Sequence, residues 1–129
     1  MRDVGRLEMS IVDHVNLPVA NLARSRRFYE IALEPLGYKF LMQDGRAIGF
    51  GIKNWNFGIV ETQPPFPPIH LAFSASTTDQ VVGFFEAALR AGARSNGAPG
   101  LRKQYHAGYY AAFVLDPDGH NIEVVFRGS

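Results

Sequence analysis

Two rhythms alternate along this chain. From Ser10 to Leu17 the pattern alternates, with Ile11, Asp13, Val15 and Leu17, apolar but for Asp13, on one side and Val12, His14 and Asn16 on the other. A period of two predicts a strand, and Pro18 is expected to end it. Leu22, Ser25, Phe28, Tyr29, Ala32, Leu33 and Leu36 then recur at spacings of three and four. That predicts an amphipathic helix with Asn21 as its N-cap and Pro35 and Gly37 at its close. Arg24, Arg26, Arg27 and Glu30 fall on its outer face and read as solvated. Strands are predicted over Tyr38–Gln43, Arg46–Ile52 and Trp55–Glu61, the first two joined by the hairpin signal Asp44-Gly45.

Pro64-Pro65-Phe66-Pro67-Pro68 can be neither helix nor central strand and reads as a stiff linker. After it the rhythms return. Ile69–Ala75 is a predicted strand. Ser76-Thr77-Thr78-Asp79 resembles a capping box, and Val81, Phe84, Phe85, Ala88 and Leu89 make a helical stripe ending at Gly92. A short strand is expected over Ala93–Asn96, a loop over Gly97–Gly108 and a strand over Tyr109–Leu115. The turn Asp116-Pro117-Asp118-Gly119 then leads into a last strand, Asn121 to Phe126, with His120 expected at the surface.

The order β-α-β-β-β therefore occurs twice. A constant shift of 56 positions carries His14 onto His70, Phe28 onto Phe84, Tyr29 onto Phe85, Glu30 onto Glu86, Ala32 onto Ala88 and Leu33 onto Leu89. Such self-similarity points to duplication. The expected organisation is a leader over 1–9, a first module over 10–62, a linker over 63–68 and a second module over 69–129. Each helix would cover one sheet face, and the free faces would enclose a cavity.

Composition narrows the chemistry. The chain has 129 residues, 47% hydrophobic and 19% charged, with a net charge of +1. No strong field argues for nucleic acid or an anionic membrane surface. Zero cysteines exclude disulfides, thiolate metal sites and a cysteine nucleophile. No apolar run approaches a membrane span, and a cytoplasmic setting is expected.

Candidate chemistry follows from the alternation. In the last strand Asn121, Glu123 and Val125 share one side and Ile122, Val124 and Phe126 the other. If the Ile122 side meets the helix, Glu123 points into the cavity, where a carboxylate needs a partner. The duplicated His14 and His70 are candidates. Two histidines and a carboxylate on separate strands suit Fe(II), Mn(II), Ni(II), Co(II) or Zn(II), with coordination positions left open. The bland alternative is polar residues satisfied or solvated one by one. Arg102, Lys103, Tyr105, His106 and Tyr109 belong to a segment that reads either as a substrate lid or as a solvated loop. In the lid reading a cation holds an anion, His106 serves as acid or base, and Tyr109 is a wall or donor. Trp55 and Phe57 are cavity walls or core.

His14-Val15, Leu22 through Glu30 with Gly37, His70-Leu-Ala-Phe73, and Tyr109-Tyr-Ala-Ala-Phe113 running into Asp116-Pro-Asp-Gly-His-Asn-Ile-Glu123 together resemble the vicinal oxygen chelate superfamily, which includes glyoxalases, bleomycin-resistance proteins and extradiol dioxygenases. The resemblance spans about residues 10 to 127. It implies an α+β fold of two βαβββ modules and one divalent metal held by His14, His70 and Glu123. In glyoxalase-like members a fourth ligand comes from the last strand of the first module, where Glu61 is the only acid; Glu61 is also a candidate catalytic group. The dioxygenase branch tends to carry tyrosine where this chain has Phe113, and this chain departs from it there. Two functions are implied. One is a metal-dependent lyase, isomerase or oxygenase acting on a small oxygen-chelating substrate. The other is a bleomycin-resistance-type binder holding a planar ligand among Trp55, Phe57, Tyr105 and Tyr109 without turnover; Phe113 is a further candidate substrate-binding residue. A homodimer is expected in both, since one module buries little core alone.

Overall fold

A computed structural model describes residues 11–128. The expected leader lies outside the described residues. The order is β1 (Val15–Val19), α1 (Leu22–Ala32), a 3₁₀ turn (Glu34–Leu36), β2 (Lys39–Asp44), β3 (Ala47–Gly51), β4 (Trp55–Glu61), β5 (His70–Ser74), α2 (Thr78–Arg90), β6 (Arg94–Leu101), β7 (Tyr109–Leu115) and β8 (Asn121–Arg127). The twice-repeated βαβββ pattern stands. The strands form two four-stranded sheets, ordered β1-β4-β3-β2 and β5-β8-β7-β6. In each, the first strand runs parallel to the last and every other pairing is antiparallel.

The helices form where the apolar spacing places them. Asn21 caps α1 by accepting the Arg24 N–H at 3.0 Å, and the helix buries Ser25, Phe28, Tyr29 and Ala32. Gly37, at φ 83°, closes the 3₁₀ turn in a left-handed conformation that other residues resist. The cap of α2 sits one residue later than the Ser76–Asp79 reading. Thr77 accepts from Gln80 N–H, while the Gln80 side chain accepts from Ser76 N–H at 2.6 Å. A threonine and a glutamine three apart satisfy the free N–H groups better than the shorter aspartate would. Helix α2 buries Val81, Phe84, Ala87 and Ala88. The helix-facing residues of both sheets join both helices in one core, in which Phe57, Tyr29 and Phe73 meet edge to face.

Three strand expectations change. Pro18 does not end β1 but lies within it, because β1 is an edge strand and needs no inward N–H there. Strand β6 runs on to Leu101 through register shifts between Ser95 and Gly97 and between Gly97 and Gly100. Bulges let a glycine-rich stretch with a proline stay in the sheet. The expected loop shrinks to the segment between Leu101 and Tyr109.

The two modules are latched by the turn before β8. Asp116 is 5% exposed and accepts the Tyr29 hydroxyl at 2.5 Å and the N–H groups of Asp118 and His120 at 2.9 Å each. Asp118 accepts from Ala20 N–H and from the Arg24 guanidinium, at 3.1 and 3.0 Å. Arg24 is thus a bridge between modules and not a solvated surface charge, and the Arg26 guanidinium packs 3.9 Å from the Phe40 ring. His120 is not at the surface. It is fully buried, with Nδ1 accepting Ile69 N–H at 2.9 Å, Nε2 donating to the Pro18 carbonyl at 2.8 Å, and Phe66 stacked on its ring. Burial raises the Asp116 carboxyl above its usual range despite its donors, and burial next to Asp116 raises the Tyr29 phenol well above 10.0. Replacing Tyr29 by Phe leaves a buried carboxylate with backbone donors only. The expected loss is about 1–3 kcal/mol in urea unfolding, and an unchanged midpoint would contradict the latch.

Candidate functional site

The free face of the second sheet gathers most of the expected chemistry. Ala72 and Phe113 both lie in register with Glu123, so the three form one row across β5, β8 and β7. His70, two residues before Ala72, shares that face. Its Nε2 lies 2.8 Å from Glu123 Oε1, and the Tyr109 hydroxyl donates to Glu123 Oε2. Glu123 is 2% exposed, whereas the His70 side chain is 55% exposed. A buried carboxylate costs several kcal/mol unless donors meet it; here imidazole and phenol meet it from two sides. Burial, then the hydrogen bond to Glu123, pushes the Tyr109 phenol up to about 12, so it remains a donor across the neutral range.

Around this centre the Phe113 ring lies 6.2 Å from His70 and the Tyr105 ring 5.1 Å from Tyr109. The Arg102 guanidinium sits 5.3 Å over the Phe113 ring and that of Arg127 5.1 Å over Tyr109. Arg127 and the Asn96–Asn121 side-chain pair, bonded at 3.2 Å, escaped the sequence reading. Parity alone puts Arg127 on the Glu123 face, two positions after Val125.

The free face of the first sheet is different. His14 lies just before β1, with Nδ1 2.9 Å from Asp13 Oδ1 and its ring 4.7 Å from Trp55. In register, Phe50 pairs with Phe57 but Gly51 with Trp55, so Asn56 is an extra residue. This bulge turns Trp55 away from the side that Phe57 faces. The indole lies over glycines. A Cβ at Gly49 would come within 2.8 Å of Trp55, and one at Gly58 would overlap Asn16 Oδ1 and approach the indole to 3.3 Å. A groove of about 470 Å³ beside β1 reaches from His14 to Ala72 and Ser74.

Asn16 pairs with Gly58, and Ala72 pairs with Glu123. The shift of 56 relates Asn16 to Ala72, so the first-module counterpart of Glu123 is Gly58. Glu61 lies three positions further on, opposite Val19. Its Oε1 accepts Leu22 N–H at 3.1 Å, where the positive end of the α1 dipole favours a carboxylate. The structure therefore sets Glu61 at the N-terminus of α1.

The other expected residues divide clearly. His70, Glu123, Tyr109, Tyr105, Phe113 and Arg102 lie on one face of the second sheet or at its rim. Phe57 is core, 1% exposed. His106 is exposed, its Nδ1 accepting Gly108 N–H at 3.2 Å within its own turn. His14 and Trp55 stand on the first sheet, and among the described residues no hydrogen bond, ion pair or ring contact joins them to His70 or Glu123. Among the described residues no three His, Asp or Glu side chains gather in the manner of a metal centre within one chain. No described helix is long and apolar enough to cross a membrane.

The raised phenols carry a pH consequence. Tyr29 and Tyr109 hold their protons above 10.0 in the folded chain, whereas the unfolded chain releases them near that value. Stability should therefore fall as pH rises above 10.0. In a phenolate absorbance titration Tyr29 and Tyr109 should keep their protons above pH 10.0 for as long as the fold persists. Ionisation of Tyr29 and Tyr109 near 10.0 with the fold intact would contradict this.

Comparison with known proteins agrees with the fold. Residues 11–124 match the family model of the Glyoxalase/Bleomycin resistance protein/Dioxygenase superfamily. The uncharacterized protein YqjT of Bacillus subtilis (strain 168) is 32% identical over 127 residues, covering 87% of this chain and 95% of that protein. A glyoxalase/bleomycin resistance protein from Albidiferax ferrireducens T118 superimposes with a TM-score of 0.81 at 27% identity, over 92% of this chain and all of the other. The oxidase ChaP-H2 superimposes with a TM-score of 0.67 at 25% identity, over 92% of this chain and 94% of its own.

Proposed function

The chain belongs to the glyoxalase/bleomycin resistance protein/dioxygenase superfamily, and within it we propose a metal-dependent enzyme acting on a small substrate with adjacent oxygens. The observation that carries the reading is the pair His70 and Glu123, an exposed imidazole against a buried carboxylate at 2.8 Å. Imidazole and carboxylate donors fit a divalent ion such as Fe, Mn, Ni, Co or Zn. Two donors are too few within one chain, and His14, the repeat partner of His70, is the natural third. We place His14 on a second copy of the chain, which makes the functional unit a homodimer with each site shared between a first and a second module. Gly58 leaves the fourth ligand position without a donor, so the protein supplies two histidines and one carboxylate and leaves room for substrate oxygens.

A bound metal of this kind supplies Lewis acidity to those oxygens. The chain's own residues do the rest. Tyr109 holds Glu123 in one orientation, and its phenol stays protonated near neutral pH. Phe113 and Tyr105 offer a planar ligand aromatic surface beside that centre. An oxidase among the structural relatives supports oxygen chemistry as one form of the reaction.

The test is complementation between two variants, read by plasma mass spectrometry on tag-free protein. His14→Ala and Glu123→Ala should each lose metal. Mixed one to one under conditions of subunit exchange, they should recover about a quarter of the wild-type metal, because half the dimers are mixed and each holds one intact site. Metal retained in either variant would remove that residue from the centre. Metal lost in both without recovery would place the whole site within one chain.

A second reading has its own support. Within one chain no three metal-binding side chains gather among the described residues, while Trp55, Tyr105, Tyr109 and Phe113 offer aromatic surface. That favours sequestration of a planar ligand without turnover. Metal-free protein that binds an intact aromatic compound tightly, and returns it unchanged, would establish it.

A further inference from the structure

We propose that the free face of the second sheet takes a substrate that carries a carboxylate, with Arg102 as its receptor. The inference rests on that face being the ligand site, and it names the substrate class. Its physical origin is the double bulge of β6. Between Gly97 and Gly100 the strand slips register against β7, and such slips leave backbone groups without ladder partners. Arg102 takes two of them. Its Nη1 donates to the Gly100 carbonyl at 2.8 Å and its Nη2 to the Ala98 carbonyl at 2.7 Å. The guanidinium fits because two residues beneath it lack side chains. A Cβ at Gly97 would lie 3.1 Å from Nη2 and 2.9 Å from the Phe113 ring, and a Cβ at Gly100 would lie 3.3 Å from Nη1.

The charge is thus fixed in place without being neutralised. A guanidinium has five N–H donors, and two neutral carbonyls use two of them. No carboxylate pairs with Arg102 among the described residues. A preorganised fork of this kind matches a carboxylate. Its position sets the length of the substrate. Gly97 pairs with Phe113, and Phe113 with Glu123, so Arg102 stands over one end of a row whose other end is the His70–Glu123 centre. Two strand spacings separate the ends, about 10 Å. The substrate class is therefore a planar compound with vicinal oxygens at one end, an aromatic or conjugated middle over Phe113, and a carboxylate at the other end.

The test compares 3,4-dihydroxycinnamate with its methyl ester by calorimetry on metal-loaded protein. The acid should bind at least tenfold more tightly than the ester. Arg102→Gln should bring the two affinities together, and Arg102→Lys should keep part of the difference because it keeps the charge and loses the fork. Lys103→Gln, which removes an exposed charge next in sequence, should leave the ratio unchanged. A merely structural role for Arg102 would weaken acid and ester alike. Equal affinities in the wild type, or a preference that survives Arg102→Gln, overturns the proposal. Cinnamate and methyl cinnamate, which lack the vicinal oxygens, are titrated in parallel into metal-free protein. A preference for cinnamate there upholds the carboxylate receptor even if the metal reading fails, and binding of neither cinnamate nor its ester overturns it.

Discussion

The buried carboxylate of Asp116 is the contact on which the two-module arrangement depends. A charge in that position is tolerable only because the Tyr29 phenol and two backbone N–H groups converge on it. One donor comes from the first module and two from the second, so the carboxylate is satisfied only when the modules are docked. His120 repeats the logic in neutral form, bridging Pro18 and Ile69. The turn that carries both residues leads directly into β8. The latch therefore fixes the strand that presents Glu123, and the candidate site inherits its geometry from the contact between modules.

The two modules share one architecture and carry different side chains on their free faces. In register, Glu123 corresponds to Gly58, where Asn16 and the Trp55 indole occupy the space a side chain would need. The first module thus offers a histidine and an aromatic wall, while the second offers a histidine, a carboxylate, a phenol and cations. A pair of identical faces would gather like charges and aromatic rings symmetrically. Divergence instead gives one rich face and one sparse face, which are complementary if copies of the chain pair through them.

Most of the fold was legible because helix and strand periods differ and the repeat doubled the signal. Where the sequence reading went astray, a local rule was overridden by a tertiary one. Pro18 stays in β1 because the strand is at an edge. Gly97 to Leu101 stays in the sheet because bulges absorb the glycines and Arg102 takes up the carbonyls they leave. Histidine after a tight turn is usually at the surface, but His120 finds an acceptor across the module boundary at Pro18 and a donor at Ile69 in its own module. The pairing of His70 with Glu123 was readable from strand parity. The lack of a contact between His14 and that pair among the described residues was not, because alternation fixes which face a residue lies on and is silent about which faces meet. Glu61 caps α1 through Leu22 N–H, and the register that sets it opposite Val19 is visible only in the β1–β4 pairing.

The central claim is that His70 and Glu123 form one half of a metal centre completed by His14. Paramagnetic broadening of the histidine side-chain resonances by substoichiometric Mn(II) addresses it most directly. His70 and His14 should broaden together at the lowest additions, while His106 and the buried His120 respond later. Broadening confined to exposed carboxylates, or of His70 without His14, would contradict it.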